Sequence, residues 1–136
     1  MLSRSPVAAT LPFKGLKAAQ DFYTQRLGLR IASGSVKDGY LEFEAGDGTV
    51  LQVFESDSRK SDDTGATFSV KDLAKEMEDL REKGVRFEEY DLPGIKTVDG
   101  VATMGEHKGA WIKDPGGNIL GLHQRARVAR RRRSGK

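Results

Sequence analysis

Apolar and polar positions along this chain fall into an order that is used twice. Residues 7–13 form a short apolar run, after which Leu16, Ala19, Phe22, Tyr23 and Leu27 recur at helical spacing until Gly28. A strand and then a helix are expected, the glycine ending the helix because it takes left-handed backbone without a steric penalty. Strand-like pieces follow at 29–32, 39–45 and 49–55, and in the second of these Leu41, Phe43 and Ala45 alternate with Tyr40, Glu42 and Glu44. Gly46-Asp47-Gly48 predicts a tight hairpin turn between the last two.

The hydrophilic stretch 56–64 reads as a linker, and then the order restarts. Residues 66–70 are strand-like, Asp72 is a suitable helix N-cap, and Leu73, Met77 and Leu80 make an apolar stripe that stops at Gly84. A strand is expected at 85–90, then a long loop from 91 to about 108. Strands at 110–113 and 118–124 flank the turn Asp114-Pro115-Gly116-Gly117, whose residues are those a tight turn demands. Gly15-Leu16 aligns with Asp72-Leu73 at a shift of 57, and segment 48–54 aligns with 117–123 at a shift of 69, the difference falling mainly in the long loop. The expected fold is α+β. It consists of one domain over residues 1–124, built of two tandem βαβββ modules, 7–55 and 65–124, that enclose a concave cleft.

The 136 residues carry a net charge of +3, which changes meaning once divided by position. Seven of the 23 basic residues lie in the last twelve positions, leaving 16 against 20 acids in the body, a net of −4. The tail at 125–136 is therefore expected to be disordered and to touch nucleic acid only weakly and non-specifically, if at all. The absence of cysteine excludes disulfides, thiolate metal sites and cysteine nucleophiles. No apolar run approaches a membrane span, and the first residues do not lead into a secretory signal, so a cytoplasmic protein is expected. Serine-nucleophile elbows, phosphate-cradling loops and paired histidines at helical spacing are all missing.

Several phrases carry a family likeness: Leu11-Pro12-Phe13, Asp21-Phe22-Tyr23, Leu27-Gly28-Leu29, and the run from Trp111 through Asp114-Pro115-Gly116-Gly117 to Leu120. Over residues 7–124 the chain resembles the vicinal oxygen chelate superfamily, which includes glyoxalase I, extradiol dioxygenases, and fosfomycin- and bleomycin-resistance proteins. The resemblance implies two βαβββ modules, a homodimer, and in the enzymes a divalent metal held by His, Glu or Gln from the first and last strand of each module. Carried onto this chain, those positions fall at Ala8, Gln52, Gly65 or its neighbour Ala66, and Gly121. Only Gln52 has a ligating oxygen, and one neutral amide cannot hold a catalytic ion, so no metal and no other cofactor is expected.

If Gln52 faces the cleft, alternation places Val50 and Phe54 beside it and sends Leu51 and Val53 to the helix side. The module alignment matches His123 to Phe54 and Trp111 to Glu42. The candidate ligand-binding set is Tyr40, Glu42, Gln52, Phe54, Trp111 and His123. These aromatic faces with a few polar tips suit a small-molecule pocket. His107, in the glycine-rich loop, is expected to be exposed with no partner. The leading reading is metal-free binding of a small aromatic or apolar molecule, as in sequestration of an antibiotic or metabolite. The alternatives are a metal-independent, or less favoured metal-dependent, lyase or isomerase with Glu42 or His123 as general base, and a chain whose functional element is the arginine tail.

Overall fold

A computed structural model describes residues 2–4, 7–57 and 63–124; the basic tail at 125–136 and linker residues 58–62 lie outside the described residues. The chain divides into two compact units, Met1–Gly65 with Asp114–Ile119, and Ala66–Lys113 with the chain from Leu120 onward. Among the described residues no helix is long and apolar enough to cross a membrane.

In the first unit, β1 (Ala9–Phe13), α1 (Leu16–Asp21), β2 (Arg30–Ser35), β3 (Tyr40–Glu44) and β4 (Val50–Glu55) follow in chain order. The sheet order is β1-β4-β3-β2, with β1 parallel to β4 and the other pairs antiparallel. Register fixes the faces. Leu11 lies opposite Val53 and Leu41 opposite the same Val53, so Leu11, Phe13, Leu41, Phe43, Leu51 and Val53 are buried on one side. Leu16, Ala19, Phe22 and Tyr23 are buried with them, Tyr23 stacking on Phe43 with ring centroids 5.1 Å apart. Beyond Asp21 the helix widens through Phe22–Arg26 into a π-type coil. It ends where Leu29 N donates to Tyr23 O across Gly28, whose φ of 76° is the left-handed stop foreseen from sequence.

Two polar arrangements hold this unit together. Gly15 offers no side chain to cap α1, and the Glu55 carboxylate supplies the cap instead, accepting from Gly15 N at 3.0 Å and Leu16 N at 3.2 Å. The Tyr23 hydroxyl donates to Asp114 Oδ2 at 2.8 Å, and Asp114 also accepts from Asn118 N and Asn118 Nδ2, each at 2.8 Å. Burial, and then the Asp114 charge, push the Tyr23 phenol far above its ordinary range. A Cβ on Gly116 would stand 2.8 Å from the Phe13 ring, so this turn is a packing element.

The second unit contains most of β5 (Thr64–Ser69), then α2 (Leu73–Glu82), β6 (Asp91–Leu92), β7 (Ile95–Val98), β8 (Val101–Met104), β9 (His107–Lys113) and most of β10 (Ile119–Gln124). Their order is β5-β10-β9-β8-β7-β6. Asp72 caps α2 by accepting from Lys75 N, as expected, and Gln124 Oε1 accepts from Leu73 N at 2.7 Å. Leu73 and Met77 bury against Ala110 and Leu122, with Val70, Leu80, Phe87 and Val101 packed around them.

Two expectations are corrected here. Residues 85–90 make no strand: a single bridge joins Phe87 to Ile112, and Glu88 N donates to Trp111 O. The long loop is instead a meander of three short strands. Leu92 pairs with Ile95 across Pro93-Gly94, and Val98 pairs with Val101 across Asp99-Gly100. Asp99 and Gly100 have φ of 54° and 85°, the paired left-handed residues that a two-residue hairpin of matching twist requires. Arg81 fastens that hairpin to α2, donating to Asp99 O at 3.0 Å and lying over the Phe87 ring.

Candidate functional site

Strand alternation gives the first unit a polar and aromatic face opposite its core. Thr10 lies beside Gln52, and Gln52 lies opposite Glu42. Thr10 Oγ1 donates to Gln52 Oε1 at 3.3 Å, and Gln52 Nε2 donates to Glu42 Oε2 at 2.7 Å. A hydrogen-bonded row thus crosses β1, β4 and β3 and ends on a carboxylate. Tyr40 and Phe54 are opposed in the next register position on that face, 40% and 38% exposed. Tyr40 OH lies 3.1 Å from Ser33 Oγ. Tyr40, Glu42, Gln52 and Phe54 therefore share one face, as expected, and Thr10 and Ser33 join them.

On the second unit the alternation of β9 buries Ala110 and Ile112 and leaves Trp111 half-buried on the other face, with His107 and Gly109. Tyr90 meets Trp111 edge to face, 5.6 Å between centroids at 77°. Burial, and then the charge of Glu88, hold the Tyr90 phenol above its ordinary value. Thr97 Oγ1, buried, donates to the Glu89 carboxylate and accepts from Tyr90 N at 2.8 Å, fixing the segment that presents the ring.

His123 is half-buried on β10, and His107 does not stand alone as expected. His107 Nδ1 is 2.9 Å from His123 Nε2. The ring centroids are 4.9 Å apart with 21° between planes, a separation near that of two rings joined end to end through those nitrogens. The imidazoles therefore meet edge to edge rather than face to face. Sequence reasoning missed His107 because it started the strand at 110, three residues late. It missed Tyr90 and Thr97 because it passed over Asp99-Gly100, a hairpin signal that would have placed both.

The metal positions implied by the resemblance do not fit an ion here. A Cβ on Gly65 would stand 2.6 Å from Leu11 Cδ2, and neither Gly65 nor its neighbour Ala66 carries a donor atom. Gln52 already engages Thr10 and Glu42, and Ala8 and Gly121 have no donor atoms. Among the described residues no group of three or more His, Cys, Asp or Glu is placed to hold a metal.

Comparison with known proteins adds the following. A profile of the Glyoxalase/Bleomycin resistance protein/Dioxygenase superfamily matches residues 6–122. Among solved structures, the chain is similar to TnmS3, an antibiotic binding protein from a Streptomyces species, with 20% identity, a TM-score of 0.65, and 93% of this chain and 99% of that one covered. It is also similar to a variant of the fosfomycin resistance protein FosX from Listeria monocytogenes complexed with Mn(II) and a dihydroxypropylphosphonic acid, with 19% identity, a TM-score of 0.65, and 98% and 99% covered. An integron cassette protein from a sewage-outfall metagenome matches at 15% identity and a TM-score of 0.66, covering 89% of this chain and 98% of its own. No curated protein matches significantly.

Proposed function

The chain belongs to the glyoxalase/bleomycin resistance protein/dioxygenase superfamily, and from that premise we propose that it binds a small aromatic or apolar molecule without using a metal at the family positions. The observation that carries this reading is the edge-to-face pair of Trp111 and Tyr90 on the second unit. Flat apolar ligands gain from such rings: covering one contributes about 1.5–3 kcal/mol by burial and roughly 0.5–1.5 more by ring geometry. A single hydrogen bond from His123 nets only about 1 kcal/mol, so the polar tip orients the ligand and the rings hold it. That one fold neighbour is an antibiotic binding protein supports a small-molecule ligand.

Trp111 is the only tryptophan, and its emission reports the test directly. With metal-stripped protein and a library of aromatic antibiotics and metabolites, Trp111→Ala is expected to weaken binding tens-fold or more. His123→Ala should cost less than about tenfold, or 1.4 kcal/mol. Tight binding that leaves emission unchanged and tolerates Trp111→Ala would remove this face from the site.

A second reading, a metal-independent lyase or isomerase, is favoured by one observation, the Glu42 carboxylate oriented by Gln52. A base so held can take a proton from a bound carbon acid. Conversion of a captured ligand by the parent, but not by Glu42→Gln, selects catalysis over sequestration. The homodimer that the family resemblance suggests is checked by the solution mass at micromolar concentration.

A further inference from the structure

The chain contains two histidines in 136 residues, and the fold brings both together. They come from strands adjacent in the sheet order, β9 and β10, sixteen residues apart in sequence. The next inward positions on the same face are Gly109 and Gly121, which present no side chain to crowd the rings. Both histidines are partly buried. Neither histidine occupies a metal position that the family resemblance implies.

We propose that His107 and His123 form a binding site for a borderline divalent cation of the Cu(II), Ni(II) and Zn(II) group. With metal–nitrogen bonds of about 2.0–2.1 Å, two nitrogens at neighbouring corners of a square-planar or tetrahedral ion stand roughly 2.9 to 3.4 Å apart. The 2.9 Å between His107 Nδ1 and His123 Nε2 is a hydrogen-bond contact, and it already brings two imidazole nitrogens within the span that neighbouring corners of such an ion require. A tilt of each ring turns both lone pairs onto one ion, and the proton now held between them moves to an outer ring nitrogen. Two protein ligands leave the remaining corners to water, which makes the ion exchangeable. The ligand-binding reading above needs no such ion, and the two stand or fall separately.

The test uses the full chain, dialysed against chelator, titrated with Cu(II), Ni(II), Zn(II) and Mg(II) in separate runs. Trp111 lies four residues from His107 on the same strand face, roughly 13 Å away by strand rise, close enough for a bound paramagnetic ion to quench it. Saturable quenching at one ion per chain is expected, tighter for Cu(II) than for Ni(II), with no response to Mg(II). His107→Gln and His123→Gln should each weaken Cu(II) binding at least tenfold. On the unmutated protein, Zn(II) should slow acylation of both histidines by diethyl pyrocarbonate. Binding by both glutamine variants as tight as the parent's, or stoichiometric ions that neither quench nor protect, would overturn the proposal.

Discussion

The two modules start their helices in the same way and close their last hairpins differently. Glu55, at the end of β4, caps α1, and Gln124, at the end of β10, caps α2. The two capping residues are separated by 69 positions, the offset that aligns the strands they end. In the hairpins, Ala45 N donates to Thr49 O and Asp114 N donates to Asn118 O, again at that offset. Yet Ala45 carries no polar group where Asp114 accepts three hydrogen bonds in the core. At the shift of 57 Tyr23 matches Leu80, so the phenol that Asp114 serves has an apolar counterpart in α2. Duplication has kept the bonds that satisfy backbone groups and let the side chains on both sheet faces diverge. Glu42 and Gln52, in the polar row of one unit, correspond to Trp111 and Gly121 on the other, and Phe54 corresponds to His123.

The contrast is broken most severely at Asp114. Asp114→Ala strands the Tyr23 hydroxyl and the Asn118 amide inside the protein and is expected to cost about 3 kcal/mol or more in urea unfolding. Ala45→Ser at the matching position should stay within about 0.5 kcal/mol, as surface changes do. An equal response at both would mean the buried network adds nothing. Next in size is Tyr23→Phe, expected to cost about 1–2 kcal/mol at neutral pH. Its signature is alkaline. The unfolded phenol ionises near its ordinary value of 10, whereas in the fold it stays protonated to higher pH. Its stabilising share is complete below pH 10 and is lost as pH rises beyond it. The parent should therefore lose stability above pH 10 faster than Tyr23→Phe does, which denaturant titrations from pH 8 to 11 can read.

Smallest are the caps. Glu55→Ala should cost about 1–2 kcal/mol because α1 has no other capping side chain. Gln124→Ala should cost under about 1 kcal/mol, since Asp72 continues to hold the start of α2. A reversed order would show that the carboxylate at Glu55 is not the stronger cap.

Much of this architecture was legible in the chain, because β1, β3, β4 and both helices bury one face each and carry the period that burial imposes. Leu41 and Phe43 declare the core side of β3, and Glu42 the other. What escaped were β6, β7 and β8, two to four residues long, where Lys96, Thr97 and Asp99 blur any alternation. Their pairing is dictated by Pro93-Gly94 and Asp99-Gly100 rather than by apolar content. Phe87 reads as strand because it packs on Met77's cluster, yet it makes only one bridge. Four of the expected ligand-binding residues share a face because strand alternation settles it. The meeting of His107 with His123 depends on register between β9 and β10, which local composition does not encode.

The borrowed cap on α1 also bears on the order of events during folding. Its partner carboxylate lies 39 residues away in sequence, so the first turn of α1 gains that stabilisation only after β4 has docked. The start of α2 holds Asp72 three residues from the amide it serves and can be secured locally. Loop closure must precede reward in the first case and not in the second. In a φ-value analysis, Asp72→Ala should slow folding in proportion to its equilibrium cost, whereas Glu55→Ala should leave the folding rate nearly untouched and speed unfolding. The second helix would then be a nucleus around which the older symmetry of the chain is broken in time as well as in space.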